Sequence, residues 1–564
     1  VIVRILAGLI LAYAVLLRFD AVTLTHGPVT APAWLGAIQE TRPAVSALRP
    51  GPMTWSRWEG RYISDPSTYL QFAREPRGFY DAHRREPGFV FATRLSLWLL
   101  GNQDLAVSWA SAFFSVLAVW ATFLLGRIAY APAVGLTAAA ALAIEMTVIT
   151  WSTGGWRDDA FMCAAVFTAH ALLRLRVAPS TANAVWLGVV AAAACLIRIT
   201  SLSFVLPAMV LMWWVVPLAP RERLLRIAVV ALTVTVLCGP YLFNCWRVYG
   251  DPLYAINVHA DIYRETEGQE VQTSQTAREY LSGMWRTRPL TTLDTAIQGL
   301  TTYPFTNKWD GFAVWHPWLA TTLQGLAVLG LVGMLGSTAG RVLLVLLGCS
   351  LVPYAMTWKL IGDWRFTAHA YPFFLIAAAS VPVALAGVRW RHLPLRRVTL
   401  AWVTTIGVIA TATWLVVVIL PGAVAAETLR VDDVATIAAG PRDRSFFTRG
   451  WGAPQTTGNV TARVSEGTTA SMRLPTVPGA PFDLMIRMDP YPAPSPDDVL
   501  PVVRLFVDGV PAGRVQVTWN PERVGAYLVH MPTATNSSID LELMVESPGP
   551  GARRLRLWWV QVRR

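Results

Sequence analysis

The chain of 564 residues is 54% hydrophobic and only 15% charged, with a mean hydropathy of +0.43. A soluble domain of ordinary composition carries about a quarter charged residues, so a soluble globular class is excluded. The net charge of +12 is almost all arginine, Lys308 and Lys359 being the only lysines. It is spread over short loops, which speaks against a nucleic-acid partner.

Eleven apolar runs read as membrane-spanning helices: 2–17, 105–126, 132–150, 158–176, 183–198, 200–218, 224–245, 317–338, 341–358, 367–388 and 398–420. Each approaches the roughly 20 residues that cross a hydrocarbon core. The first run, "VIVRILAGLILAYAVLL", lacks a small-residue cleavage site and reads as a retained span. The segment "GFVFATRLSLWLLG" (88–101) is short and interrupted by Arg94, so it reads as an interfacial or re-entrant helix. Cys163, Cys195, Cys238, Cys245 and Cys349 lie in or beside apolar runs, and no disulfide framework is indicated.

The loops sort by charge. Arg127, Arg174, Arg176, Arg221, Arg223, Arg226, Arg341, Arg389, Arg391, Arg396 and Arg397 fall in short alternate loops whose single acid is Glu222. The positive-inside rule places these in the cytoplasm. The other loops are then external: 18–104, 151–159, the link at Arg198, 246–316, 361–370 and everything beyond 420. The expected domains are a membrane domain over 1–421 and an external β-sandwich over 440–564. In the latter, "VVRLFVDGVPAGRVQVTW" (502–519) reads as a hairpin with "DG" at its turn, and 538–547 and 553–562 alternate like half-buried strands. No internal repeat is visible, which argues against a repeat-built transporter.

Three polar clusters converge on the expected external face. One is "SDPSTYLQFAREPRGFYDAHRREPGFV" (64–90). The second is "WRDD" with Arg157, Asp158 and Asp159. The third is "GDWRFTAHAY" with Asp363, Arg365 and His369. A lone acid at a helix entrance is ordinarily a solvated interfacial group, and Asp20 beside the first span reads that way too. The spans themselves are expected to lack central acids. Trp309 and Trp315 read as interface anchors that could also stack on sugar rings.

The order of these pieces resembles the GT-C glycosyltransferases that use polyprenyl-phosphate sugars, such as the aminoarabinose transferases and the protein O-mannosyltransferases. "SDPSTYLQFAR" resembles their first-loop D-E-x-x-Y-x-x-x-A-R pattern, "REPGFVFATRLSLWLLG" their Pro-Pro-Leu-Tyr helix, and "STGGWRDDAFMCAAVFTAHALL" their second-loop acid and fourth span. The likeness covers about 1–215 and, loosely, 360–388. Pro66 replaces the second acid, as in the Asp-Pro of oligosaccharyltransferase catalytic subunits, and Glu86-Pro87 replaces the Pro-Pro pair.

The resemblance implies a polytopic α-helical GT-C enzyme with a carbohydrate-binding-like C-terminal sandwich, opening at "SFFTRGWGAP". It also implies a polyprenyl-phosphate sugar donor and a lipid, glycan or protein acceptor. Asp65 would take the acceptor's proton or help bind it. Arg365, then Arg157 and Arg198, would hold the lipid phosphate, with His369 beside them. Asp158 or Asp159 would orient the acceptor or, with Asp65, hold a divalent cation such as Mg or Mn. Two other classes stay open: a transporter or flippase of lipid-linked glycans, and a non-catalytic glycan-binding assembly protein.

Overall fold

The computed structural model describes residues 1–26, 62, 64–258, 276–301, 303–305, 309–357, 364–387, 411, 414–440, 442–457, 460–494, 499–520, 524–531, 533–546 and 554–564. Asp363 and the arginine-rich loop of 389–397 lie outside them. The chain forms two compact units, Val1–Leu281 with Thr295–Arg389, and Ser282–Asp294 with Trp390–Arg564. This division departs from the expected 1–421 and 440–564, because the second unit takes in a short internal segment and begins earlier.

The first unit is a polytopic helical membrane bundle. Among the described residues, seven helices are long and apolar enough to cross a membrane, and eight if the pair Pro132–Ile144 and Met146–Thr153, bent by 55°, counts as one span. Eleven spans were expected. Thr181–Ile197 and the stretch Ile199–Val215 are apolar but short, and most of 398–420 lies outside the described residues. The Asp158–Val177 helix is the central element, buried along most of its length against Ala106–Ala129 and Thr181–Ile197. Its acids stand in the first turn and Arg174 and Arg176 in the last, matching the helix dipole at both ends. Ala106–Ala129 and Pro132–Ile144 meet through glycine, since a Cβ on Gly135 would lie 2.4 Å from the Phe123 carbonyl oxygen. Such close backbone approach is how helices gain packing where lipid supplies no hydrophobic drive.

The segment with Arg94 forms a 14-residue helix, Pro87–Leu100. At about 1.5 Å per residue it is too short to span. Arg94 faces the end of the preceding Asp65–Arg74 helix. It donates to the carbonyls of Ala73 (2.9 Å), Glu75 (2.5 Å) and Arg77 (2.6 Å). These carbonyls lie in and just after the last turn of that helix, where intrahelical donors run out, so the charge within the apolar run is a cap supplied by a neighbouring helix.

The second unit is a two-sheet antiparallel sandwich. One sheet runs β3 (Gln455–Thr457), β4 (Val460–Val464), β11 (Arg554–Arg563), β6 (Phe482–Tyr491), β9 (Ala526–Met531), with β1 (Val434–Ala438) also on β11. The other runs β2 (Phe447–Arg449), β5 (Thr469–Pro475), β10 (Ser538–Glu546), β7 (Val502–Val507), β8 (Val510–Gln516). Alternate residues face one core: Leu484, Ile486, Val560 and Val562 from the first sheet, Met472, Leu505, Leu541 and Leu543 from the second. The hairpin β7–β8 turns at Asp508 (φ 50°) and Gly509 (φ 80°), the positive-φ pair that matches strand twist. The sheet starts at Val434, and the Leu420–Asp432 helix before it buries Leu429 in the same core.

Candidate active site

Asp65 opens the Asp65–Arg74 helix, with Pro66 in its first turn, where a missing N–H leaves no bond unmade. The helix is anchored by Tyr69, buried edge-on against Phe89 at 5.0 Å, by Arg74 on Asp104 (2.6 Å), and by Arg94 at its far end. Arg85 donates to Asp65 Oδ1, and Arg365 lies 3.8 Å from Oδ2. Burial pushes the Asp65 pKa up. Arg85, then Arg157, Arg365 and Arg198, outweigh it and hold the carboxyl below its usual range.

A second group of ions lies beside it. Gly155 (φ +75°) makes the turn before the Asp158–Val177 helix, where any side chain would strike Val107. The turn delivers Trp156, Arg157 and Asp158 in succession. Arg157 pairs with buried Glu86, whose other oxygen accepts the Ile199 N–H (2.8 Å). Asp158 accepts from Arg198 at 2.8 Å. The Arg198 guanidinium sits 5.3 Å from the ring centroids of Phe161, Tyr354 and Phe366. The Arg365 guanidinium lies over Trp156 at 4.0 Å and near Phe366 at 4.9 Å. Aromatic faces hold these cations without neutralising them. Arg85, Arg157, Arg198 and Arg365 thus stand together with Asp65, Glu86 and Asp158.

A cleft opens on this cluster. It has a volume of about 280 Å³, with Glu86, Arg157 and Arg198 in its wall. Leu202, Ala255, Ile256, Leu281, Pro353 and Tyr354 supply an apolar lining, and Arg278 adds a further cation. The arrangement suits an anionic head group carried on a greasy chain.

The structure thus gathers Asp65, Arg157, Asp158, Arg198 and Arg365. Asp159 borders a small crevice with Asp158 and Arg365, but its carboxylate turns into the bundle and accepts from Ser111 (2.8 Å). His369 is fully buried, with Nε2 3.0 Å from Ser350 Oγ and its ring 4.6 Å from Phe161. It packs behind Arg198 and is absent from the cleft wall. Asp20 is fully buried in the first helix, which corrects its reading as an interfacial residue. Trp309 is buried against Tyr371 at 5.3 Å, as a packing residue. The expectation that the spans lack inner acids is corrected as well. Glu145, fully buried, caps the bend between the Pro132–Ile144 and Met146–Thr153 helices through the Val148 N–H (2.5 Å). Arg18 nearby donates to Ser115 Oγ (3.0 Å) and to the Ala143 carbonyl (2.8 Å).

Sequence reasoning missed Arg85, Glu86 and Arg278 as site residues. Glu86 was visible only as a departure from the Pro-Pro pair. A divalent cation does not fit the carboxylates as they stand: both oxygens of Asp65 face guanidiniums, and Asp158 holds a third. Among the described residues no three His, Cys, Asp or Glu side chains converge as a metal-binding group.

Residues 84–242 match the family profile described as dolichyl-phosphate-mannose-protein mannosyltransferase. No curated protein matches the chain. Among solved structures, the chain is similar to the archaeal oligosaccharyltransferase AglB from Archaeoglobus fulgidus, in complex with an inhibitory peptide and a dolichol-phosphate. The identity is 16%, the coverage 70% of this chain and 54% of that one, and the TM-score 0.39. It is also similar to ArnT from Cupriavidus metallidurans bound to undecaprenyl phosphate, with 13% identity, 72% and 64% coverage and a TM-score of 0.41. For the arabinosyltransferase EmbB from Mycobacterium smegmatis the figures are 12%, 99% and 64%, and 0.29. The chain spans about half the length of the archaeal enzyme.

Proposed function

We propose that this chain is a membrane glycosyltransferase that moves a hexosyl or pentosyl group from a polyprenyl-phosphate carrier to a lipid, glycan or protein acceptor. The observation that carries the reading is the apolar cleft walled at one end by Arg157 and Arg198, next to a carboxylate held among four guanidiniums. The match of residues 84–242 to the mannosyltransferase profile supports it. The site in this reading faces the outside of the membrane. In support, Arg174 and Arg176 stand at the far end of the Asp158–Val177 helix, about 30 Å away for 20 residues.

In this scheme the polyprenyl chain lies along the apolar wall. Its phosphate meets Arg157, Arg198 and Arg365, whose forked donors suit phosphate oxygens. The acceptor oxygen attacks the anomeric carbon as the bond from that carbon to the phosphate oxygen breaks. The carrier leaves as polyprenyl phosphate, its developing charge stabilised by the same guanidiniums. The acceptor's proton passes to Asp65. In the resting site Asp65 is a poor proton acceptor, because the arginines favour its charged form. A phosphate that draws Arg365 away, the looser partner at 3.8 Å, raises the basicity of Asp65 at the moment the donor is in place.

The test uses the full chain in proteoliposomes with polyprenyl-phosphate sugars, following release of sugar-free polyprenyl phosphate. Release by the wild type and a fall of about 10²–10⁴-fold in Asp65→Asn are expected, the range for loss of a positioned base. Movement of intact donor across the bilayer without release would replace this reading with a flippase. Undiminished turnover in Asp65→Asn would remove that residue from the chemistry.

A further inference from the structure

The sandwich unit carries a second cavity, of about 560 Å³, lined by Val417, Arg444, Phe447, Arg449, Trp451 and Arg463 with the loop 450–454. Three arginines and no acid face it. Among the described residues none of the three has an ion-pair partner. Arg463 is 4% exposed, donates to the carbonyls of Gly452 (3.0 Å) and Gly440 (3.3 Å), and its Nε–H finds no acceptor. Its guanidinium lies 4.6 Å from the Phe447 ring centroid. Burial and the neighbouring Arg444 push the Arg463 pKa down, and the nearby Asp443 offsets this only in part.

The site is built in advance. Gly450 (φ +71°) allows the loop to press on β5, where a Cβ would lie 2.3 Å from the Thr469 carbonyl oxygen. Gly452 N–H donates to Val464 (2.8 Å), and Trp451 Nε1 to Ser471 (3.0 Å). The remaining wall is of another kind. Val417 belongs to the π-helical turn Leu415–Ile419, where Trp414, Leu415, Val417, Val418 and Ile419 are all exposed. Such a run of exposed apolar side chains, at the end of an expected span, belongs in hydrocarbon. A cationic, aromatic recess directly beside a lipid-facing turn lies at head-group depth.

We propose that this recess is a second ligand site, which binds a phosphate group carried on a membrane lipid. The phosphate sits among Arg444, Arg449 and Arg463, and the hydrocarbon tail lies along 414–419. Guanidiniums without a direct ion pair, in a preformed and partly dry recess, favour a dianionic or monoanionic phosphate through forked contacts. Two lipids offer that chemistry, an anionic phospholipid of the bilayer and a polyprenyl phosphate.

Native mass spectrometry of the detergent-solubilised full chain distinguishes them. The probes are phosphatidylglycerol, farnesyl phosphate and inorganic phosphate, with phosphatidylcholine as the control. The double variant Arg444→Gln, Arg449→Gln should weaken one lipid-phosphate adduct at least about tenfold, as expected for losing charged donors. Arg444→Lys, Arg449→Lys should recover part of it. Loss of the phosphatidylglycerol adduct names a bilayer lipid. Loss of one farnesyl phosphate adduct, with a second that disappears only on Arg365→Gln, names a carrier lipid. Unchanged adducts for both lipids in a variant that keeps its circular dichroism melt would overturn the site. So would an effect confined to inorganic phosphate.

Discussion

Asp65 and Glu86 are both carboxylates in the same early stretch, yet their surroundings give them different work. Asp65 keeps about a fifth of its side chain exposed and touches two arginines, while Glu86 is almost wholly enclosed with Arg157. Removing one partner of a buried pair leaves a charge with neither water nor counter-ion. Glu86→Gln should therefore destabilise the membrane unit by about 3–5 kcal/mol, read as thermal unfolding of the full chain in detergent. Asp65 gives a pH prediction. Its folded pKa is held below the ordinary 3.8. Its contribution to stability is therefore complete above that value and is lost as pH falls through the lower folded value. The same sign places any acid limb of turnover due to resting Asp65 below that pH. The pH profile of kcat/KM, which reports the free enzyme, should be flat with respect to this group between about 5 and 7, and a limb near 6 in it that vanishes in Asp65→Asn would contradict the assignment.

At the scale of elements, the apolar Pro87–Leu100 helix is the one whose sequence misleads most. Its charge looked like an interruption and is a cap, because Arg94 reaches carbonyls at and just beyond the end of the Asp65–Arg74 helix. Arg94→Met makes the segment more uniformly apolar while orphaning those acceptors. It should cost about 1–3 kcal/mol, the range for partners left unmade, and should lower turnover with it, since the same helix carries Asp65. Unchanged melting and turnover would show that water replaces the cap. The short helices around Arg198 follow a similar rule: the chain breaks at 198, and the freed backbone N–H of Ile199 is taken by Glu86.

For the whole molecule, the sandwich is expected to fold alone only if cut in the right place. β1 pairs along its full length with β11, from Val434↔Arg563 to Ala438↔Trp559, and Ile437 and Leu429 enter the core. A fragment of 440–564 loses these and bares a long sheet edge, a template for association. A fragment of 420–564 should melt higher and stay monomeric at concentrations where 440–564 aggregates, by circular dichroism and light scattering. Glu427 adds a qualification. In the full unit it accepts from the Leu290 N–H (3.0 Å) and the Thr291 N–H (2.7 Å), so even the longer fragment leaves that buried acid without its donors.

Hydropathy and charge by themselves determined that this is a polytopic helical membrane protein ending in a β-sandwich. The reason is that lipid and water each impose one period on the chain: about 20 apolar residues in a run for a span, and strict alternation for a half-buried strand. The "DG" turn at 508–509 was legible for the same local reason, whereas the grouping of Asp65, Arg157, Asp158, Arg198 and Arg365 was expected from the sorting of loops by charge and from the GT-C resemblance. The count of eleven spans was not confirmed among the described residues, because the runs on either side of Arg198 form helices of only 17 and 14 residues and most of 398–420 lies outside those residues. Only the tertiary structure decided which charges face one another. Glu86 pairs with a residue 71 positions away and Arg198 with one 40 positions away. Pairings at that separation depend on how helices pack, which no local period encodes. Packing also turned Asp159, one residue from Asp158, towards Ser111, and set His369 behind the arginine it was expected to stand beside.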